Sequence, residues 1–173
     1  MYKRQAFDFS NYTYSGLIGI FSAIIGMCYP LLLQAIDRID EKYHVIRFVE
    51  LFKEEVVYGS FNHLLLLSIA FAVIDPFALY IMSGILWMQM LVLVSHTLLV
   101  LVLLLHVVAL YKLILIYDDP HLFYKHLIKK KGNFVLELID LAKYAAKRED
   151  LSLYNACIQR VYEILLKDDD EKE

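Results

Sequence analysis

One long apolar run, residues 61–117, restricts this chain more than any other feature of its sequence. Apart from three histidines, Asp75 and Lys112 are the only acidic or basic residues in the run. A single helix of this length would extend roughly 85 Å, nearly three times the thickness of a bilayer's hydrocarbon core. The run must therefore fold back, and the uncharged stretch 83–90 is the most suitable turn. We predict two transmembrane helices, about 61–84 and 88–117, that form a hairpin.

The composition agrees with this prediction. Hydrophobic residues make up 60% of the chain, and three prolines and six glycines leave few positions that would interrupt a helix. This balance is typical of an integral membrane protein rather than a soluble domain. The formal net charge of −3 gives no sign of nucleic-acid binding, so we expect no direct contact with nucleic acid. Cys28 and Cys157 form no CxxC pair, and we predict neither a metal nor another cofactor.

A shorter uncharged stretch, residues 16–36, is also long enough to cross a bilayer. Its small residues lie mostly one turn apart, and they are Gly16, Gly19, Ala23 and Gly26. Small side chains allow another helix to approach the backbone closely. We therefore predict a first transmembrane helix with a small-residue face suited to helix packing.

The segment before this span, residues 1–15, is partly aromatic and polar. Its first five residues are those that a common transposon-end sequencing adapter encodes when read from a GTG start. We therefore expect the true start to be missing, so that Lys3 and Arg4 carry no information on topology. The alternative is a genuine short N-terminal segment.

Residues 37–60 are densely charged and carry an apolar stripe. The stripe consists of Ile36, Ile39, Tyr43, Ile46, Val49 and Phe52, at spacings of three or four. This pattern predicts an amphipathic helix that continues the first span into the cytosol or lies along the membrane surface. Gly59 and Ser60 are expected to interrupt it before the next span.

After the hairpin, residues 118–167 contain the signals of short cytosolic helices. The candidate N-terminal caps are Asp119, Asn133 and either Asp150 or Ser152. Apolar residues recur at helical spacing after the last two caps, which predicts a helical hairpin that packs on residues 37–58 or on neighbouring subunits. The charged tail, residues 168–173, is expected to be disordered. The fold class is thus an all-α integral membrane protein with three transmembrane helices, an amphipathic cytosolic helix and a small C-terminal cytosolic helical region.

Basic residues determine the predicted topology. They occur in residues 37–60 and after residue 117, whereas the hairpin tip has none. This distribution predicts an N-terminus outside and a C-terminus in the cytoplasm, at the bacterial inner membrane. Lys129, Lys130 and Lys131 are candidates for contact with anionic lipid, where each charge contributes about 1 kcal/mol. A plain positive-inside anchor is the alternative.

Two ionisable residues of the hairpin are its sharpest functional candidates. Asp75 and His96 lie about equally far from the hairpin tip, roughly 15 Å, so that both approach the bilayer midplane on adjacent helices. An ionisable group at that depth costs several kcal/mol unless it is paired or hydrated. Pro76 follows Asp75 and leaves one backbone carbonyl without its helical donor. We predict a pore-lining or gating site of Asp75, Pro76 and His96; the alternatives are a pair that only holds two helices together, or a protonated Asp75 bonded to a backbone carbonyl.

Arg38 and His44 match a short catalytic pattern. The spacing R-x5-H fits the R-x(4–6)-H motif of HEPN-type ribonucleases, in which Arg and His act on a scissile phosphate. The motif falls on the amphipathic segment, where charged residues are expected in any case. We therefore predict no enzyme, and we keep a membrane-associated ribonuclease as an alternative.

The layout also resembles the small membrane accessory proteins of RNA-targeting CRISPR systems. The resemblance rests on size, on a helical cytosolic part and on Arg38 and His44. It implies a homo-oligomeric membrane pore that strengthens antiviral defence, with a soluble defence effector as a further partner. The alternative is a membrane-anchored interaction or sensor protein, in which the spans only hold the cytosolic helices at the bilayer.

Overall fold

The computed structural model describes residues 2–81, 85–130 and 132–170, and all regular structure in them is α-helical. In these residues the helices are α1 (Tyr2–Tyr43), α2 (Ile46–Lys53), α3 (Val56–Ile81), α4 (Leu86–Asp118), α5 (Pro120–Lys129), α6 (Val135–Lys147) and α7 (Leu151–Asp170). The predicted all-α class is confirmed.

Three of the helices are long and apolar enough to cross a membrane. The segments are Ser22–Tyr43 in α1, Val56–Asp75 in α3 and Trp87–Asp118 in α4. They correspond to the three spans that the hydrophobic runs predict. Many of their large apolar side chains are exposed in the isolated chain, as expected for surfaces that contact lipid or other subunits.

The first helix begins earlier than predicted, and at its other end it continues past residue 36, as one of the two predicted alternatives for residues 37–60 has it. It begins at Tyr2, so the separate segment 1–15 continues directly into the span. It ends at Tyr43, where His44 adopts a left-handed conformation with φ of 53° and donates its N–H to the carbonyl of Asp40 at 2.7 Å. A left-handed residue at this position commonly ends a helix, but it is usually glycine, so a break at histidine is hard to predict from residue types.

The single amphipathic helix predicted over residues 37–60 is wrong. These residues divide among the end of α1, the short helix α2 and the start of α3. Gly59 and Ser60 lie inside α3 and do not interrupt it, because the chain has already turned at Glu54 and Glu55. The second span therefore starts five residues earlier than predicted.

The helical hairpin has slightly different bounds from those predicted. Among the described residues α3 ends at Ile81, and α4 begins at Leu86, two residues before the predicted start. Residues 82–84, which include the predicted turn at Ser83 and Gly84, lie outside the described residues.

The last three helices start and stop largely where their caps predict. Asp119 accepts the backbone N–H groups of His121 (2.8 Å) and Leu122 (3.2 Å) and caps α5. Asp150 accepts the N–H of Leu153 at 3.0 Å at the start of α7. Asn133 is not a cap, since α6 begins after Phe134 without a side-chain hydrogen bond. α7 extends to Asp170, so residues 168–170 are helical rather than disordered, and residues 171–173 lie outside the described residues.

The chain forms two compact units. The first comprises the chain up to Leu33 together with Val56–Tyr111, and the second comprises Gln34–Glu55 together with the chain from Lys112 onward.

An aromatic core holds the second unit together. Its rings are Tyr43, Phe48, Phe52, Tyr117, Phe123 and Tyr144, and neighbouring centroids lie 4.6–5.9 Å apart. Phe48, Phe52, Tyr117 and Phe123 are completely buried. Such ring pairs contribute about 0.5–1.5 kcal/mol each beyond the area they bury. The hairpin of α6 and α7 thus packs within a unit that includes residues from 37–58, as the sequence predicts.

Candidate functional site

In the first unit, the buried face of each hairpin helix repeats every seven residues. On α3 the buried positions are Phe61, Ser68 and Asp75, and on α4 four buried positions follow this spacing, Gln89, His96, Leu103 and Leu110, with Val100 buried between them. Seven residues make nearly two turns, so each set forms one line along its helix. Polar residues are placed on these lines, and therefore inside the hairpin rather than on its outer surface.

Asp75 and His96 bond directly to each other. Asp75 Oδ2 lies 2.5 Å from His96 Nδ1, and the two side chains are only 5% and 1% exposed. The structure thus brings together the two residues that the sequence places at matching depth. Pairing of this kind offsets much of the cost of placing each group in an apolar segment.

Two further polar side chains, Ser68 and Gln89, lie on the same buried faces. Neither is among the site residues predicted from the sequence. Ser68 lies two turns from Asp75 on α3 and is completely buried, and its hydroxyl has no hydrogen-bond partner among the described residues. Gln89 lies two turns from His96 on α4 and is 9% exposed. The seven-residue spacing was the available signal, since positions 68, 75, 89 and 96 all follow it.

Pro76 lies inside α3, directly after Asp75. Because proline has no N–H, the carbonyl of Ala72 lacks its helical donor. The side chain of Pro76 lies outside the described residues.

The other two histidines of the hairpin do not join the pair. The Nδ1 atoms of His63 and His106 lie 2.7 Å and 2.9 Å from the carbonyl oxygens of Gly59 and Val102, one turn earlier on their own helices. In the described part of the chain no three His, Cys, Asp or Glu residues come together as a metal site.

The R-x5-H motif does not lie on one helix. Arg38 is on α1, with a side chain 73% exposed, and its Nε is 3.7 Å from Asp118 Oδ1. His44 lies beyond the end of α1, in the left-handed turn. The two residues of the motif therefore lie on different local structures, Arg38 on α1 and His44 in the turn after it.

One predicted lipid-contacting lysine is already engaged within the second unit. Lys130 Nζ donates to Glu55 Oε1 at 3.0 Å, and the same oxygen accepts from His126 Nε2 (2.9 Å) and the hydroxyl of Tyr117 (3.0 Å). Burial raises the pKa of Glu55, but the three hydrogen bonds outweigh it and hold this pKa below its ordinary value. Lys129 is exposed, and Lys131 lies outside the described residues.

The small-residue face of α1 is uncovered in the isolated chain. Gly16, Gly19, Ala23 and Gly26 are exposed, and a Cβ added at any of the three glycines would meet no other atom within 4 Å. The chain itself therefore does not use the close approach that these residues permit.

Comparison with known proteins finds no matching protein family, no matching curated protein and no matching solved structure.

Proposed function

We propose that this chain is a multi-pass membrane protein that assembles into a homo-oligomeric pore, in which the Asp75–His96 pair keeps the conducting path closed. The bonded, buried pair is the observation that carries the proposal. An apolar pair of similar volume would hold two helices together at least as well, because desolvation consumes most of the attraction between buried charges. Holding the two helices together does not by itself require this chemistry, whereas a polar path through the membrane uses it.

Assembly is supported by the uncovered face of α1. Small residues at an open helix face favour close contact between transmembrane helices, and this face is free for another subunit. We place the protein in the bacterial inner membrane, with the N-terminus outside and the C-terminus in the cytoplasm, because of the distribution of Lys and Arg.

Ion flux across vesicles containing the purified protein tests the proposal. Asp75→Asn and His96→Gln break the pair while they keep the side-chain volume similar, so we expect each to raise the flux several-fold. His106→Gln is the matched control, since this histidine is on the same helix but bonds only to its own backbone. Equal flux in all four proteins, or a monomer in both detergent and lipid, would contradict a pore closed by this pair.

The resemblance to accessory proteins of CRISPR systems extends the proposal to antiviral defence. In that case bacteria that carry the RNA-targeting effector together with this chain should form fewer phage plaques than bacteria with the effector alone. The same gain with an Asp75→Asn variant would separate the defence role from closure of the pore.

A membrane-anchored interaction protein is the second candidate function. The observation in its favour is the second unit, whose aromatic core is formed by residues of that unit alone. This function predicts no ion flux. It also predicts activity that survives replacement of Phe61–Tyr111 by an unrelated transmembrane hairpin.

A further inference from the structure

The second unit contains a cleft that is lined mainly by basic side chains. It has a volume of about 350 Å³ and lies between the turn after α1 and the C-terminal half of α6. Its basic residues are Lys42, His44, Lys143, Lys147 and Arg148, and its acidic residues are Glu41 and Asp140. The volume is at the lower end of the range for small-molecule pockets, which suits a compact ligand.

Part of this charge is neutralised within the unit. The Asp140 carboxylate is bonded on both oxygens, to Arg47 Nη1 and to Lys143 Nζ, each at 3.0 Å. Lys42 donates to the carbonyl oxygen of Asp118, and its Nζ lies 3.7 Å from the Asp118 carboxylate. These residues therefore form the walls of the cleft without adding free positive charge to it.

Three basic residues of the cleft have no such compensation. Among the described residues, no carboxylate oxygen lies within 4 Å of the basic groups of His44, Lys147 or Arg148. The guanidinium carbon of Arg148 lies 5.8 Å from the centre of the Tyr144 ring, so the ring limits the orientations that the guanidinium group can adopt. The cleft thus presents the permanent positive charges of Lys147 and Arg148 and the imidazole of His44, against the one other carboxylate of its wall, that of Glu41.

The backbone conformation of His44 also favours a role for its side chain in the cleft. A non-glycine residue in the left-handed conformation costs about 1 kcal/mol, and glycine would end α1 without that cost. A glycine there would remove the imidazole from the cleft wall.

We propose that this cleft binds a phosphate monoester, either on a soluble molecule or on a lipid headgroup. A phosphate monoester carries a charge of about −1.5 to −2 near neutral pH, which matches the free charge of Lys147 and Arg148. The planar guanidinium of Arg148 can bond two phosphate oxygens at once, as a carboxylate or phosphate partner requires. The site does not depend on whether the transmembrane helices conduct ions.

Two arms of one experiment test the proposal and separate the two sources of phosphate. The full-length protein in phosphatidylcholine nanodiscs is titrated with glycerol 3-phosphate, and the heat of binding is measured. In the second arm, nanodiscs contain added phosphatidic acid, and native mass spectrometry counts the phosphatidic acid molecules retained per chain. Arg148→Gln and Lys147→Gln are compared with Lys125→Gln, which removes the same charge from an exposed position of α5 outside the cleft.

We expect Arg148→Gln to weaken binding roughly tenfold in one of the arms, since one charge-assisted contact is lost. Lys125→Gln should leave binding close to that of the wild type. The arm that responds identifies the soluble or the lipid source. Equal loss in all three variants would indicate only general electrostatic attraction and would overturn the proposal, as would the absence of binding in both arms.

Discussion

At the scale of single residues, Glu55 makes the stability of the second unit depend on pH. Its lowered pKa means that the folded state favours the carboxylate. A group with a depressed folded pKa stabilises the protein fully above its unfolded pKa, and this contribution is lost as the pH falls through the folded value. The contribution is therefore intact near neutral pH and disappears in acid, below the ordinary range of a glutamate.

We expect Glu55→Gln to lower the stability of the second unit by about 2 kcal/mol at pH 7, because the hydrogen bonds to a charged acceptor are weakened. The loss should shrink as the pH falls below 4, where the wild-type carboxylate also becomes protonated. Thermal unfolding measured across this pH range checks the prediction. Glu54→Gln is the control, since Glu54 directly precedes Glu55 and its own side chain is exposed. A similar loss in both variants would argue against a specific role of the Glu55 hydrogen bonds.

The Asp75–His96 pair makes a second prediction at this scale. Asp75→Leu alone leaves a buried imidazole without its acceptor and should destabilise the hairpin by about 3 kcal/mol. Asp75→Leu combined with His96→Leu should return the stability to within about 1 kcal/mol of the wild type. Unfolding in detergent can be followed by the fluorescence of Trp87, the one tryptophan of the sequence. A double variant less stable than the single one would show that the pair is a net contributor to stability.

At the scale of helices, the structure uses some of the predicted capping residues and not others. Asp119 bonds two free N–H groups of α5, whereas Asn133 caps nothing. Asp119→Ala should therefore cost about 1 kcal/mol of stability, and Asn133→Ala should be nearly neutral. Urea unfolding of both variants checks this difference. Equal effects would mean that the start of α6 is stabilised by Asn133 after all.

The bounds of the long helices show how far the sequence predicts the fold. Hydrophobic run length predicts the three long helices, because the bilayer imposes a minimum span that few soluble helices reach. The break at His44 was missed, because a left-handed residue other than glycine has no strong local signal. The early start of α3 was missed because Gly59 and Ser60 are tolerated inside a helix whose packing outweighs their low helical propensity.

The sequence predicts a candidate site correctly where counting residues along the two helices is enough to bring its members together. Asp75 and His96 were paired by counting residues from the hairpin tip. The Glu55 network and the basic cleft were missed, since each combines residues far apart in the chain, such as Glu55 with His126. Such contacts follow from tertiary packing, and no periodicity within one segment indicates them.

At the scale of the whole molecule, the open face of α1 predicts how the chain assembles. Gly19→Leu and Gly26→Leu add side chains where no atom lies within 4 Å, so the single chain should fold as before. Close approach of a second subunit would be blocked, and the oligomer should dissociate.

Light scattering of the detergent-solubilised protein measures the change in mass. Ala70→Leu is the control, because it makes the same kind of enlargement at an exposed position of α3. An oligomer that persists in the glycine variants but dissociates with Ala70→Leu would move the contact from α1 to α3.

The bonded pair has a consequence for how α3 and α4 align. If α4 slid by seven residues, about 10.5 Å, the same buried faces would still meet, but Asp75 would lie against Gln89 or Leu103. The other positions on these faces are mainly apolar and repeat, so they distinguish poorly between such registers. A single buried polar pair can specify one register of two packed helices at some cost in stability. A hairpin with leucine at both positions would then be as stable as the native one, yet its two helices would be shared among several displaced alignments.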